Sequence, residues 1–213
     1  MPRPRKNAEC PAARERIIQA FWELLEDNRV SDISVAMVTD RAECNRGTFY
    51  YHFADMNALV EDVIDEELFS DGAIVHEAYG VLLDPETRLF GVTASEHVEH
   101  MRLVMRRGDA ERLSEKIREA VLGMWQLILR PDGTPLKPET RMVLEYAVSG
   151  VIGILMLWAR TEDEDLPCPE SQSHLVSNAA GFLLSQISEA EGVPEQDIMA
   201  RLKLVGSFAG MAR

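Results

Sequence analysis

The sequence predicts an all-α protein, on the basis of three observations. Apolar residues recur three and four positions apart along most of the 213-residue chain, which is the period of an amphipathic helix. Capping residues stand just before several of these segments. No segment is predicted as a strand. We therefore expect an N-terminal three-helix unit over residues 1–53, followed by a helical body over residues 54–213.

Charge and cysteine content restrict the partners and the location of the chain. The net charge is −14, yet the eight cations and eight anions up to Phe53 balance, so the excess of acid lies in the body. A phosphate backbone would be approached by the neutral N-terminal end, because the acidic body is repelled. Cys10, Cys44 and Cys168 show neither a disulfide pattern nor a metal-ligand spacing. No signal peptide and no segment able to span a membrane are predicted, so a cytoplasmic location is expected.

An extended arm and two helices are predicted to precede the central segment. Residues 1–6 carry three cations and two prolines. They are expected to form either a solvated tail or an arm that is attracted to phosphate or enters a minor groove. Residues 11–27 are predicted as a helix with a broad buried face. Ser34 is expected to cap a second, short helix over residues 35–41.

A third, very short helix follows, and its residues divide into two sets. Asn45 is a good N-cap. Phe49 and Phe53 lie four positions apart, so they share one face and can anchor the helix to a core. The other residues can form hydrogen bonds and cannot all face inward, because neighbours on a helix point about 100° apart. Gly47 indicates a close approach to another group. Such a helix resembles the recognition helix of a helix-turn-helix DNA-binding protein.

The eight residues Arg46–Phe53, RGTFYYHF, resemble the signature of the TetR/AcrR family of bacterial transcriptional regulators. The resemblance covers roughly residues 10–65. It implies a homodimeric regulator that binds double-stranded operator DNA and is released by a small molecule bound in the body. We expect Tyr51 and His52 to reach phosphate, and Arg46, Gly47 and Tyr50 to approach base edges. The expected DNA-binding set is Ser34, Asn45, Arg46, Gly47, Thr48, Tyr50, Tyr51 and His52.

Three positions differ from the pattern of this family. Glu43 stands where the family usually has glycine, so it must either accept an unusual backbone conformation or reshape the turn. Ala36 and Met56 stand where the family often has a basic residue and a lysine, respectively, so two phosphate anchors are missing. An acidic protein-interaction module that keeps this helical unit without binding DNA tightly is therefore an alternative function.

The body is predicted to begin with a linking helix over residues 55–70, capped by Asp55. Residues 71–94 are expected to be broken helix and loop. A turn is predicted at Pro131–Gly133 and an acidic loop at residues 161–170. Further helices are expected over about 95–107, 109–129, 138–160, 171–190 and 195–204. Asp109 is expected to cap the second of these.

The methionines of the body have two interpretations. Methionine in a helix is usually ordinary core packing, but it also repacks easily and can line an adaptable apolar cavity. The resemblance favours the cavity, because TetR/AcrR members typically hold a small-molecule pocket among the body helices. The predicted pocket for an unidentified effector is lined by Met101, Val104, Met105, Leu122, Trp125, Leu144 and Val148.

The helices predicted at about 138–160 and 171–190 have more apolar surface than one face requires, so burial on both sides is expected. Symmetric pairing of these helices with their copies in a second chain would form an isologous four-helix interface. The predicted interface consists of Val143, Ala147, Gly150, Val151, Ile154, Trp158, Ala179, Phe182, Leu183 and Ile187.

Two histidines suggest a second alternative function. His97 and His100 lie three positions apart on a predicted helix and could share a metal with a neighbouring glutamate, as in a small helical metal-dependent enzyme. Isolated pairs of this kind are common and usually hold no metal. The sequence has no Gly-rich phosphate loop and no Gly-x-Ser-x-Gly motif. We therefore predict no catalytic residues, no metal and no cofactor.

Overall fold

Every regular element in residues 9–69, 96–161 and 173–211, the parts of the chain that the computed structural model describes, is helical. The all-α prediction is confirmed for these residues. A 3-10 turn, Val30–Asp32, lies between the first two helices. The helices in chain order are α1 (Glu9–Asp27), α2 (Val35–Arg41), α3 (Arg46–His52), α4 (Met56–Asp62), α5 (Glu96–Arg107), α6 (Ala110–Leu129), α7 (Pro138–Arg160), α8 (Ser173–Glu191) and α9 (Glu195–Met211).

Helices α2, α3, α4 and α6 begin at capping residues that the sequence predicts. In each case a side-chain oxygen accepts a hydrogen bond from a backbone amide three residues later, which has no partner within the helix. The donor–acceptor distances are 3.3 Å for Ser34 to Met37, 2.9 Å for Asn45 to Thr48, 2.8 Å for Asp55 to Ala58 and 3.1 Å for Asp109 to Arg112.

The first apolar core joins the N-terminal helices to the body. Helix α1 packs against α2, α3 and α5, and its buried face includes Phe21 and Leu25. The same core continues through Val104 on α5 and Ile117 on α6 to Leu155 on α7. Apolar packing therefore runs without a break across the end of α3, where the charge balance of the sequence changes.

A second core lies farther along the body. It is built from the C-terminal half of α6, the N-terminal half of α7, and helices α8 and α9. Since α6 and α7 contribute to both cores, they connect the region beside α4 with the far end of the molecule. The buried members of the second core are Met124, Trp125, Ile128, Leu129, Leu144, Ala180, Leu184, Ile187, Ile198 and Leu202.

Two element boundaries differ from the prediction. The linking helix expected at residues 55–70 is α-helical only over α4 and continues as a π-helical turn, Val63–Leu68. Such turns are not visible in apolar periodicity, because one extra residue per turn changes the hydrogen-bonding register locally. Helix α9 runs on to Met211 instead of ending near 204. The segment 71–94 and all but the first residue of the predicted loop 161–170 lie outside the described residues.

The π-helical turn is held by ion pairs to both sides. Arg14 of α1 pairs with Asp62 and, at 2.5 Å, with Glu66. Lys116 of α6 pairs with Asp65 at 2.9 Å, and this carboxylate raises the pKa of the Lys116 amine. The segment between α4 and the body is therefore tied to the N-terminal unit and to α6 at once.

Helix α7 contradicts the expectation that no segment is long and apolar enough to span a membrane. Its 23 residues pass that test by length and composition. Core helices pass the same test, and one side of α7 is buried among the other helices through Leu144, Val148, Ile152 and Leu155. These residues recur three or four positions apart, as one face of a helix requires. The opposite side of α7 is also apolar, and it is exposed in the single chain.

Glu191 lies at the far end of the second core, where α6, α7 and α8 meet. Its side chain is only 3% exposed and forms an ion pair with Arg130. Its second oxygen accepts a hydrogen bond from the Thr140 hydroxyl at 2.5 Å. The Lys137 ammonium donates to the backbone carbonyl of Ala190 at 2.9 Å. A buried carboxylate needs such partners, and together these contacts tie the ends of α6, α7 and α8 to one another.

We predict that Glu191→Ala lowers the free energy of unfolding by about 2–4 kcal/mol, because it leaves a poorly solvated Arg130 cation and an unpaired Thr140 hydroxyl. Glu189→Ala, at an exposed position of the same helix, should change it by no more than about 0.5 kcal/mol. Arg130→Met combined with Glu191→Gln should recover most of the loss, since no charge is then left unpaired. Urea denaturation followed by circular dichroism measures all three. Equal stability of the two alanine variants would contradict the role assigned to Glu191.

Candidate nucleic-acid interface and body surfaces

Helices α2 and α3 form a helix-turn-helix with a tight connection. The amides of Ala42 and Cys44 donate to the carbonyls of Val38 and Thr39, at 2.8 and 3.0 Å. Between them, Glu43 has a φ of 49°, in the left-handed region. A side chain there is strained, which explains why glycine suits this position. Of the two alternatives that the sequence left open at Glu43, an unusual backbone conformation or a reshaped turn, the structure shows the first.

The inner face of α3 is anchored by two aromatic rings. Phe49 is fully buried and Phe53 nearly so, with their ring centroids 5.7 Å apart. The Tyr50 ring meets Phe49 edge-on at 5.6 Å. Because both phenylalanines pack into the first core, they set the rotation of α3 about its axis and thereby select the residues that face solvent.

The outer face of α3 presents hydrogen-bonding side chains. Tyr51 is 73% exposed and Tyr50 is 55% exposed, and Arg46 is exposed at the first turn. The rings of Tyr51 and His52 meet edge-on at 5.0 Å. Of the predicted DNA-binding set, Ser34, Asn45, Arg46, Gly47, Tyr50 and Tyr51 are exposed, whereas Thr48 and His52 are half-buried.

Gly47 lies against the residue that caps α3. A Cβ atom added at this position would lie 3.0 Å from the capping oxygen of Asn45, closer than an ordinary van der Waals contact. The same oxygen accepts from the amide of Thr48 at 2.9 Å. The close approach that the sequence indicates for Gly47 is therefore, within the chain itself, an approach to the side chain of Asn45.

The cations around this surface differ in what they contact. The Arg41 guanidinium donates to the Glu23 carboxylate at 2.9 Å and holds the pKa of that carboxyl below its usual value, with a smaller contribution from Gln19. Arg14 is paired with the π-helical turn. Arg46 has no ion pair within the described parts of the chain. Its charge is therefore available to a partner outside the chain.

The residues of the suggested metal site have other surroundings where they are described. The His100 ring stacks on the Trp22 indole, with centroids 3.8 Å apart and planes within 6°. The side chain of His97 lies outside the described part. Across the described residues, no group of three or more potential ligand side chains occurs. Burial raises the pKa of the Cys44 thiol, which disfavours a reactive thiolate at that position.

The residues predicted to line an effector pocket are divided between the two cores. Met101, Val104, Met105 and Val148 are buried in the first core. Trp125 and Leu144 are buried in the second, against which Leu122 packs while partly exposed. The sequence predicted all of them as walls of one pocket, but it did not show that two separate clusters share them. A pocket formed by these residues stays a prediction.

Most of the predicted interface residues lie on the outward side of α7 and α8. Gly150, Val151, Ile154, Ala179 and Phe182 are exposed, and Val143, Ala147 and Leu183 are half-buried. Trp158 is half-buried, with the Arg102 guanidinium 5.2 Å from its ring centroid. Ile187 instead lies fully buried in the second core of its own chain, because it occupies the inward face of α8.

Sequence reasoning missed three exposed apolar residues on the same side of α7. Met142, Tyr146 and Leu157 are 70%, 75% and 56% exposed. Their positions continue the helical row through Gly150 and Ile154, so the spacing could have identified them.

Comparison with known proteins is consistent with this geometry. A family model described as bacterial regulatory proteins, tetR family, matches residues 17–63. The uncharacterized HTH-type transcriptional regulator YxbF of Bacillus subtilis (strain 168) is 22% identical over 169 residues, which cover 76% of this chain and 43% of that protein. The chain thus spans less than half the length of this curated relative.

A solved structure also resembles the chain. Native NalD, the secondary repressor of the MexAB-OprM multidrug efflux pump in Pseudomonas aeruginosa, aligns with a TM-score of 0.60 and 18% identity. The alignment covers 81% of this chain and 96% of that one. At this level of identity the likeness concerns the fold.

We predict that Glu43→Gly raises the free energy of unfolding by about 1 kcal/mol, because glycine adopts a positive φ without strain. Glu43→Gln removes the same charge but keeps the strained backbone, so it should leave stability unchanged. Urea denaturation compares the two variants. Equal stabilisation by both would assign the effect to charge rather than to backbone conformation.

Proposed function

We propose, from the premise that residues 17–63 belong to the tetR family, that the chain is a sequence-specific DNA-binding transcriptional regulator that acts as a homodimer and as an effector-released repressor. One observation carries this proposal. The buried Phe49 and Phe53 hold α3 so that Arg46, Tyr50 and Tyr51 project from one capped, exposed helix. A helix of this kind fits the major groove, where side chains distinguish base pairs by their donors and acceptors.

The charge distribution supports binding through this end of the molecule. The N-terminal unit up to Phe53 is neutral, whereas the body carries the acidic excess. Repulsion between the body and phosphate therefore favours approach through α3. Tyr51 and His52 are assigned to phosphate, and Arg46, Gly47 and Tyr50 to base edges.

The outward side of α7 and α8 supports a homodimer. Exposed apolar patches of this kind mark interaction surfaces, because exposure of large apolar side chains to water is unfavourable. Three large apolar side chains are exposed to solvent on these two helices, which pack side by side: Ile154, Leu157 and Phe182. A two-fold pairing of α7 and α8 would bury them and bring two copies of α3 to half-sites about 34 Å apart.

Effector control requires that the ligand prefers one arrangement of the dimer. A molecule bound in the body releases DNA only to the extent that it binds the released arrangement more tightly than the DNA-bound one. The ion pairs of Arg14 and Lys116 with the π-helical turn connect the N-terminal unit to α6. Motion of α6 would therefore reach α3 through this connection.

The alternative of an acidic interaction module has a specific observation in its favour. Asp40 and Glu43 are exposed close to α3, and Ala36 offers no cation on α2. A salt titration of binding to operator fragments, selected from random DNA by the purified protein, separates the two functions. Phosphate contacts give a steep fall of log affinity with log salt concentration, whereas a protein-interaction module that does not bind DNA retains no fragments.

We predict that Arg46→Ala weakens binding to the selected operator by about 1–3 kcal/mol and relaxes the preference at one base position. The physical reason is the loss of hydrogen bonds to a base edge. Arg106→Ala, which removes an exposed cation from α5, is the matched control and should leave the preference intact. If Arg46→Ala weakened binding to every DNA sequence equally, Arg46 would contact phosphate rather than a base edge.

We predict that Gly150→Glu combined with Ala179→Glu produces a monomer that no longer binds the operator. A Cβ atom at Gly150 meets nothing within 4 Å and Ala179 is exposed, so the chain itself accommodates both changes. Within a two-fold interface, four buried carboxylates would repel one another and lack partners.

The matched control for this variant is Gly123→Glu combined with Ala200→Glu. Gly123 also has open space around its Cβ position, and Ala200 is exposed on α9. This control should stay dimeric and bind normally in sedimentation and DNA-binding measurements. A Gly150/Ala179 variant that sediments as a dimer would place the interface elsewhere.

A further inference from the structure

A cleft of about 490 Å³ lies at the far end of the second core. It is bounded by the end of α6 and the turn that follows it, by the segment that joins α8 to α9, and by α9 itself. Its walls include Leu127, Arg130, Val193, Arg201 and Leu204. A volume of this size lies within the range of small-molecule sites.

Apolar surface is exposed on two helices that border the cleft. Leu127 of α6 is 56% exposed and Leu204 of α9 is 59% exposed, and Val193 and Val205 also line the cleft. Removing large aliphatic side chains from water lowers the free energy. An apolar chain in the cleft would cover both leucines.

The side-chain carboxylates around the cleft are already engaged by the protein. One oxygen of Glu191 pairs with Arg130 and the other accepts from the Thr140 hydroxyl. The Asp132 carboxylate accepts from the hydroxyl and the amide of Thr134, at 2.7 and 3.1 Å. A ligand cation would therefore compete with existing donors for these oxygens.

Two donors around the cleft are not engaged. The Nε of Arg130 is buried without a hydrogen-bond partner, which is a costly state for a charged group. Arg201 has no ion pair within the described parts of the chain. The free side-chain hydrogen-bonding capacity of the cleft thus consists of guanidinium donors, which match a carboxylate.

We propose that this cleft is a binding site for an amphipathic monoanion, with its carboxylate head at Arg201 and Arg130 and its aliphatic chain across Leu127 and Leu204. The head provides the acceptors that Arg201 and the buried Nε of Arg130 lack. The chain covers apolar surface that otherwise stands in water.

Helix α6 connects this site to the N-terminal unit. Its C-terminal end forms one wall of the cleft, while near its start Lys116 pairs with Asp65 at 2.9 Å and Arg112 donates to the Asn57 carbonyl at 3.4 Å. A helix of this length spans about 30 Å. The consequence for DNA rests on the proposed function: an occupied cleft changes operator affinity through α6.

The first test is calorimetric titration of the full chain with decanoate, decanol and decyltrimethylammonium below their micellar concentrations. Decanoate should bind most tightly. Arg201→Gln should weaken decanoate about tenfold and leave decanol unchanged, because only the charged head loses a partner. Leu204→Ser should weaken both, and Arg106→Gln, at an exposed arginine outside the cleft, should weaken neither. Equal affinity for all three head groups, or a decanoate affinity insensitive to Arg201→Gln, would overturn the proposal.

The second test locates the site with a photoreactive, diazirine-bearing decanoate. Peptide mapping after irradiation should find the label within residues 127–132 and 193–205. Label on the outward side of α7 and α8 would overturn the proposal, since binding would then be at the apolar surface assigned to the dimer. Because neither test contains DNA, operator binding without decanoate binding contradicts this site alone. Decanoate binding at the cleft without any DNA binding contradicts the proposed function alone.

Discussion

The burial of Phe49 and Phe53 is the constraint on which the surface of α3 depends. A helix of two turns has little stability of its own, so its position comes from packing against the first core. That packing turns Tyr50 and Tyr51 outward and leaves the Asn45 cap at the start of the exposed face. Since the same core continues through α5, α6 and α7, the exposed surface of α3 is positioned by the body as well as by its own unit.

The polar contacts around the π-helical turn show how the two parts are joined. Apolar packing holds the N-terminal unit and the body together without choosing one arrangement, because it has little directionality. The hydrogen bonds within the ion pairs are directional. Those of Arg14 and Lys116 connect adjacent residues of the turn, Glu66 and Asp65, to α1 and to α6. The stacked rings of Trp22 and His100 add an aromatic contact between α1 and α5. Under the proposed effector control, a change in the body would reach the N-terminal unit through this joint.

The two sides of helix α7 have different surroundings, although both are apolar in sequence. Its apolar residues are distributed around the whole helix, so length and composition resemble those of a membrane span. In the folded chain, Leu144 and Leu155 belong to the two cores, while Tyr146 and Ile154 remain exposed. Two-sided burial, by its own chain and by a second copy, accounts for this distribution under the proposed homodimer.

The sequence by itself determined the all-α class, the caps of α2, α3, α4 and α6 and the inward phenylalanines, because these depend on residues at most four positions apart. At Glu43 it left two alternatives, and the structure showed the strained backbone. It did not determine which apolar residues meet. Only the tertiary structure placed Ile187 in a core and Phe182 in solvent, divided the predicted pocket residues between two cores, and paired Glu191 with Arg130. Those outcomes depend on partners distant in sequence, which local periodicity does not encode.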